Sequence, residues 1–177
     1  MVPHLAAEQR ERLPRLSFLG TPVHPVLTDV PSSLLSLVPL FDVAARVSGS
    51  DDLAVVAYWN TVVGVAAAVP TAATGILDYL RVDEHGPGKR TGAIHGALNG
   101  VAMATSIGSL WLRRRNPRQP STSAQLLSAA TAGLVSVSAH LGGELVYEHG
   151  YRVDAPQTIP QLGETQTGNG TGRAPDG

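Results

Sequence analysis

At 177 residues the chain has room for one domain with tails. It is 43% apolar and only 15% charged, well under the roughly 25% typical of soluble domains, so a water-facing surface would be short of charge. A net charge of −1 argues against a basic nucleic-acid binder, and the lack of cysteine excludes disulfides, thiolate zinc sites and cysteine-ligated clusters within this chain.

Residues 1 to 22 mix charges with Pro3, Pro14 and Pro22 and contain no apolar run, which predicts a short interfacial segment and no cleaved signal peptide. From His24 to Val47 the chain is largely apolar, long enough for the ~20 residues that a bilayer crossing needs. Asp29, Pro31, Pro39 and Asp42 interrupt it, so one side must pack on protein that re-satisfies the backbone. A second span is predicted from Leu53 to Leu80, with Pro70 as a kink. The polar loop from Arg81 to Arg90 leads to a third span, Thr91 to Leu112, closed by Arg113, Arg114 and Arg115. The fourth runs from Ser123 to Tyr147. The tail from 154 to 177 is rich in Pro, Gly, Gln and Thr and is expected to be disordered. No internal repeat is evident. The fold class this predicts is an all-α bundle of four transmembrane helices over 23 to 153. The alternative, a soluble four-helix bundle, fits poorly with four segments of spanning length.

Lys and Arg number eight on the side of the termini and five on the other, a weak bias that places the termini in the cytoplasm and the chain in the inner membrane.

Ionisable groups inside a bilayer cost about 2.5 to 3.5 kcal/mol each on insertion scales, so those in the spans are candidates for function. At 100° per residue, Asn60, Gly64, Ala67, Thr71, Thr74 and Asp78 share one stripe of the second helix. Gly92, His95, Gly96, Asn99 and Gly100 share a face of the third, with glycines at a spacing that allows close helix approach. Ser136, His140, Gly143, Glu144 and Tyr147 line one side of the fourth. Connectivity puts His24, Asp29, Asp78, His95, Asn99, His140, Glu144 and His149 in the same half of the bilayer, with little in the other half beyond Asn60 and Asp42. Such a cluster suits a redox cofactor, either a b-type haem on two of His24, His95, His140 and His149, or a metal ion on His95, Glu144, Asp29 and Asp78. A proton or ion relay, or hydrogen bonding between helices alone, are the other readings. No nucleophile with its base and no phosphate-binding loop is present, which leaves ordinary soluble catalysis without support.

The runs Gly20-Thr-Pro-Val-His24-Pro25-Val-Leu-Thr-Asp29-Val-Pro31, Thr74-Gly75-Ile-Leu-Asp78-Tyr79, Arg90-x4-His95-x3-Asn99 and Leu141-Gly-Gly-Glu144-Leu-Val-Tyr-x-His149-Gly150 together resemble a bacterial family of predicted four-helix membrane proteins, a domain of unknown function. The resemblance covers about residues 18 to 153. It implies the four-helix membrane fold, with His24, Asp29, Asp78, His95, Asn99, Glu144 and His149 at family-pattern positions. His140 departs from that pattern. Because members are also found joined to Rieske-type iron–sulfur domains, the resemblance further implies electron transfer near the membrane. The chain is read as a small membrane subunit that binds a redox cofactor or metal and works with a redox partner protein or as a homo-oligomer; a non-catalytic anchor or ion-handling protein is the alternative.

Overall fold

The computed structural model describes residues 17–18, 21–82, 86 and 88–147. Four helices dominate it: α1 (Val23–Ser48), α2 (Asp51–Arg81), α3 (Gly88–Arg113) and α4 (Thr122–Tyr147). Ahead of them β1 (Ser17–Phe18) and β2 (Thr21–Pro22) pair as a two-residue antiparallel hairpin, so the chain enters α1 through a turn of sheet. The expectations for residues 1 to 16, for the tail from 154 to 177 and for His149 lie outside the described residues.

The helix ends follow from local chemistry. Gly49 adopts φ 70°, the left-handed conformation that stops a helix at little cost when no Cβ is present. Ser50 then caps α2 by accepting from the Leu53 N–H, and Asp51 and Asp52 sit in the first turn where the helix dipole favours negative charge. Ser121 caps α4 in the same way through the Ala124 N–H at 3.3 Å. At the far end of α2, the Lys89 ammonium lies 3.5 Å from the carbonyl oxygens of Tyr79 and Val82 and 4.1 Å from the centroid of the Tyr79 ring, a cation on the negative end of the dipole.

The helices form two antiparallel hairpins, α1–α2 and α3–α4, closed into a four-membered ring by α1 against α4 and α2 against α3. Helices α1 and α3 therefore stand on one diagonal and α2 and α4 on the other. Each hairpin is the tighter contact.

The interior reverses the pattern of a water-soluble bundle. Most buried positions are small or hydroxylated, among them Ala54, Ala57, Ala102, Ala124, Thr61, Ser106, Ser109, Ser128, Thr131 and Ser138. Large apolar side chains such as Leu40, Val43, Trp59, Val69, Ile76, Leu126 and Val137 point outward. In water that arrangement would waste the hydrophobic effect; in hydrocarbon it is expected, because small residues let helices close and hydroxyls find partners. The hydroxyls do so locally: Thr61 donates to Ala57 O, Ser106 to Ala102 O and Thr131 to Leu127 O.

Helices α1, α2 and α4 are long and apolar enough to cross a membrane, with only 22% of each apolar window buried within the bundle. Helix α3 has the same 26 residues as α4, yet Lys89, Arg90, His95, Asn99, Arg113 and its glycines leave it less apolar. It nevertheless crosses the same layer, since it lies beside α4 from His95 at Ser138 to Ser109 at Ala124. At about 39 Å, from 1.5 Å per residue, it exceeds a hydrocarbon core of roughly 30 Å.

Pro31 shows how an interrupted span survives. Its ring removes the N–H that would bond to Leu27 O. The Thr71 hydroxyl of α2 shares its proton between that carbonyl at 3.2 Å and Ala67 O at 2.9 Å, so a neighbour partly satisfies the group that proline freed. Helix α2 runs on through Pro70 without a break in its helical assignment.

Candidate functional site

At the end of the bundle where α1 and α3 finish, Arg113 and Asp42 are both fully or almost fully buried, at 0% and 4% exposure. The guanidinium grips the carboxylate with two nitrogens: Nη1 donates to Oδ1 at 2.8 Å and Nη2 to Oδ2. Its Nε donates to Ser109 Oγ at 3.0 Å, and Nη2 also donates to Ser128 Oγ at 2.9 Å. Ser109 in turn donates to Ala124 O at 2.8 Å. Planar, bidentate geometry with further hydrogen bonds is what a buried ion pair requires to offset its desolvation. The pair ties α1 to α3 across the diagonal, with Ser128 of α4 joining in.

This corrects the expectation that polar groups crowd one half of the membrane. Arg113, read from the sequence as part of a loop cluster, folds back into the bundle, and Asp42 is its partner. Nothing local in the sequence marks the pair.

At the opposite end His24 and His95 each reach across to the second helix of their own hairpin. His24 Nδ1 lies 3.0 Å from Thr71 O and 3.3 Å from Thr74 Oγ1. His95 Nδ1 lies 2.8 Å from Ser138 O and 3.0 Å from Ser138 Oγ. A carbonyl only accepts, so each Nδ1 carries the proton and donates. Both rings press against a glycine four residues beyond that carbonyl. A Cβ on Gly75 would fall 2.7 Å from His24 Cε1, and one on Gly142 would fall 3.2 Å from His95 Cε1. On His95 the other nitrogen, Nε2, accepts from Asn99 Nδ2 at 3.0 Å.

These matching environments belong to a repeat that the sequence conceals. Asp42 and Arg113 are 71 positions apart, as are His24 and His95. The same shift carries the buried Pro31, Leu35, Val38 and Asp42 of α1 onto the buried Ala102, Ser106, Ser109 and Arg113 of α3. A shift of 67 carries Ala57, Thr61, Gly64 and Thr71 of α2 onto Ala124, Ser128, Thr131 and Ser138 of α4, all buried. The second hairpin thus repeats the first in parallel orientation. In each diagonal helix the histidine precedes the charged residue by 18 positions, which is five turns at 3.6 residues per turn and puts both on one face. The two imidazoles and the two members of the ion pair are therefore matched across one axis, at opposite ends of the bundle. The visible trace is Val23-His24-x2-Leu27-x2-Val30 against Ile94-His95-x2-Leu98-x2-Val101.

The remaining predicted residues stand elsewhere. Asp29 is exposed, because five positions beyond His24 amount to about 140° around the helix. His140 is 79% exposed, and its Nε2 lies 3.4 Å from Glu144 Oε1 on the outer surface. The face of α4 that packs is Ala124, Ser128, Thr131, Val135 and Ser138, so the stripe of Ser136, His140 and Tyr147 looks away from the bundle. His140 and Glu144 lie within about 11 and 5 Å of the helix end at 1.5 Å per residue, close enough for polar tips to reach the interface. Asp78 is half-buried and partnered. Asn99 is exposed but bonded to His95. Of the glycines expected to bring a helix close, Gly92 touches Tyr79, whereas Gly96 and Gly100 meet nothing within 4 Å. Among the described residues no three of His, Asp and Glu converge as a metal ion would require.

A small polytopic helical membrane protein, built from two repeated hairpins around an ion pair and two matched histidines, is the class these features define. The chain belongs to the family described as "Predicted membrane protein (DUF2231)", whose model matches residues 20–155. No curated protein and no solved structure matches it.

Proposed function

We propose that the chain is a membrane subunit that holds a b-type haem between His24 and His95 and exchanges electrons with a partner protein. The observation that carries this reading is the equivalence of the two imidazoles. They stand on diagonal helices at matched positions, and each Nδ1–H is fixed by a main-chain carbonyl of the partner helix. On His95 a ring held in that way offers Nε2 as an acceptor, here to Asn99, and Nε2 is the atom that ligates iron when the other nitrogen donates to a carbonyl. A b-type haem would be held by these two imidazoles, supplied from diagonal helices of the bundle. A bare metal ion needs three or more, and among the described residues Asp29 is exposed and no three such groups converge, so haem suits the site better than the imidazole–carboxylate alternative. The amide of Asn99 covers His95 Nε2; being exposed, it has room to turn aside.

The buried positions of α1 begin at Pro31 and those of α3, beyond Gly88 at its start, resume only at Ala102, while His24, Leu27, His95 and Leu98 are half-buried. The interior is fully buried around the ion pair and only half-buried at these four positions near the histidines. Bound there, the haem would supply one-electron redox chemistry, and the chain would supply ligands, low dielectric and position.

Orientation follows from charge. With Arg113 withdrawn into the bundle by Asp42, the count of Lys and Arg becomes eight against four, which favours cytoplasmic termini in the plasma membrane. In detergent the purified protein is expected to show a Soret band with stoichiometric iron, both lost in His95→Ala. A colourless, metal-free and folded preparation that takes up no added haem contradicts the proposal and leaves a membrane anchor.

A further inference from the structure

Between the last turns of α1 and the first turns of α4 runs a groove of about 250 Å³. Pro39, Val43, Leu126 and Ala129 wall it, and Arg46 and Gln125 close its outer lip, with Arg46 Nη1 donating to Gln125 Oε1 at 3.1 Å. Asp42 forms part of the floor, with its charge neutralised by Arg113. The volume falls below the roughly 300 to 1,000 Å³ of sites for compact small molecules and suits a length of flexible chain.

We propose that this groove binds one phospholipid with an anionic headgroup, its acyl chain along the apolar walls and its phosphate on Arg46. Three observations support it. The groove opens outward on the lipid-facing surface, where Val43 and Leu126 are 62% and 66% exposed. Its lip holds a guanidinium with donors left over after the bond to Gln125, and Arg114, Arg115 and Arg118 are exposed at the same end of the bundle; basic pockets between helices select anionic headgroups. The groove is also a departure from the repeat. The equivalent positions between α2 and α3 hold Tyr58, Trp59 and Val62 in place of Gln125, Leu126 and Ala129, and Arg114, in place of Val43, stacks on Trp111 at 3.3 Å. Bulk is supplied on one side of the molecule and withheld on the other.

An acyl chain gains nothing in the groove that surrounding lipid does not offer, so charge must set the selectivity. Full-length protein in mixed micelles of phosphatidylglycerol and phosphatidylcholine, read by native mass spectrometry, is expected to retain one phosphatidylglycerol with roughly fivefold preference, the ratio that ~1 kcal/mol per basic side chain corresponds to. Arg46→Gln keeps a donor for Gln125 but should bring that preference to unity. Ala129→Trp fills the groove from an exposed position and should remove the retained lipid while the protein stays folded. Equal retention of both lipids by the unaltered protein, survival of the preference in either variant, or displacement of the lipid by millimolar inorganic phosphate would each overturn the proposal.

Discussion

The two ends of the bundle are built from equivalent positions and treat them in opposite ways. At one end Asp42 and Arg113 meet across the diagonal, bond to each other and to Ser109 and Ser128, and close the interior. At the other end His24 and His95 turn sideways, each to the second helix of its own hairpin. One pair of repeat-related residues is complementary in charge and bonds to itself; the other is identical, and each member bonds to the second helix of its own hairpin. The comparison separates a clasp from the pair of residues to which the proposed haem site is assigned.

The sharpest way to break that comparison is to open the clasp. Arg113→Ala or Asp42→Ala leaves an unpaired charge in the interior and is expected to cost about 3–5 kcal/mol, measured by denaturation in detergent. Because the positions are related by the repeat, the double exchange Asp42→Arg with Arg113→Asp should recover a large part of that loss. Recovery would be incomplete, since Val38 stands where Ser109 does and offers no hydroxyl. Equal damage in the double and single variants would mean that the two hairpins are not interchangeable around this pair.

Glycine substitutions probe both ends at smaller cost. Gly64→Ala would place a Cβ 2.7 Å from Leu35 Cδ2, within the packed half, and an overpacking loss of about 1–3 kcal/mol is expected. Gly75→Ala would drive a Cβ against His24 Cε1 at 2.7 Å; it should move the imidazole off Thr71 O, which a shift of the His24 ring resonances by NMR would report. Gly96→Ala and Gly100→Ala meet nothing within 4 Å and should leave stability unchanged or raised by up to about 1 kcal/mol from helix propensity. A loss at those two positions instead would point to a second copy packing on α3.

The smallest effect concerns the proline. Thr71→Val removes the donor to Leu27 O and should cost about 0.6 kcal/mol, the average for such bonds in membranes. In a Pro31→Ala background that carbonyl recovers its own N–H, so the cost of Thr71→Val should shrink toward zero. A double-mutant cycle with no coupling would show that the hydroxyl does not serve the freed carbonyl.

Length and apolarity made the four helices legible, to within about three residues at each end, because a bilayer fixes both properties. The stripe on α2 was legible too: Gly64, Thr71 and Thr74 are buried, with Asn60, Ala67 and Asp78 half-buried. The face of α4 was not. Ionisable residues were taken to mark the interior, but His140 and Glu144 sit near a helix end where water is within reach, and the inward face is carried by Ser128, Thr131 and Ser138. Arg113 was hidden by its neighbours, since three consecutive arginines read as a loop and only the third dimension separates one of them. The repeat escaped because its constraint is on small size and burial, which Pro31 and Ala102, or Thr61 and Ser128, satisfy with different residues.

The central claim, that His24 and His95 form one two-ligand site and His140 none, is tested most directly by haem titration of the detergent-solubilised protein alongside three single variants. The account predicts one haem per chain with a low-spin spectrum, lost to the same degree in His24→Ala and His95→Ala and intact in His140→Ala. A spectrum that survives the loss of His24 or of His95, or that depends on His140, would contradict it.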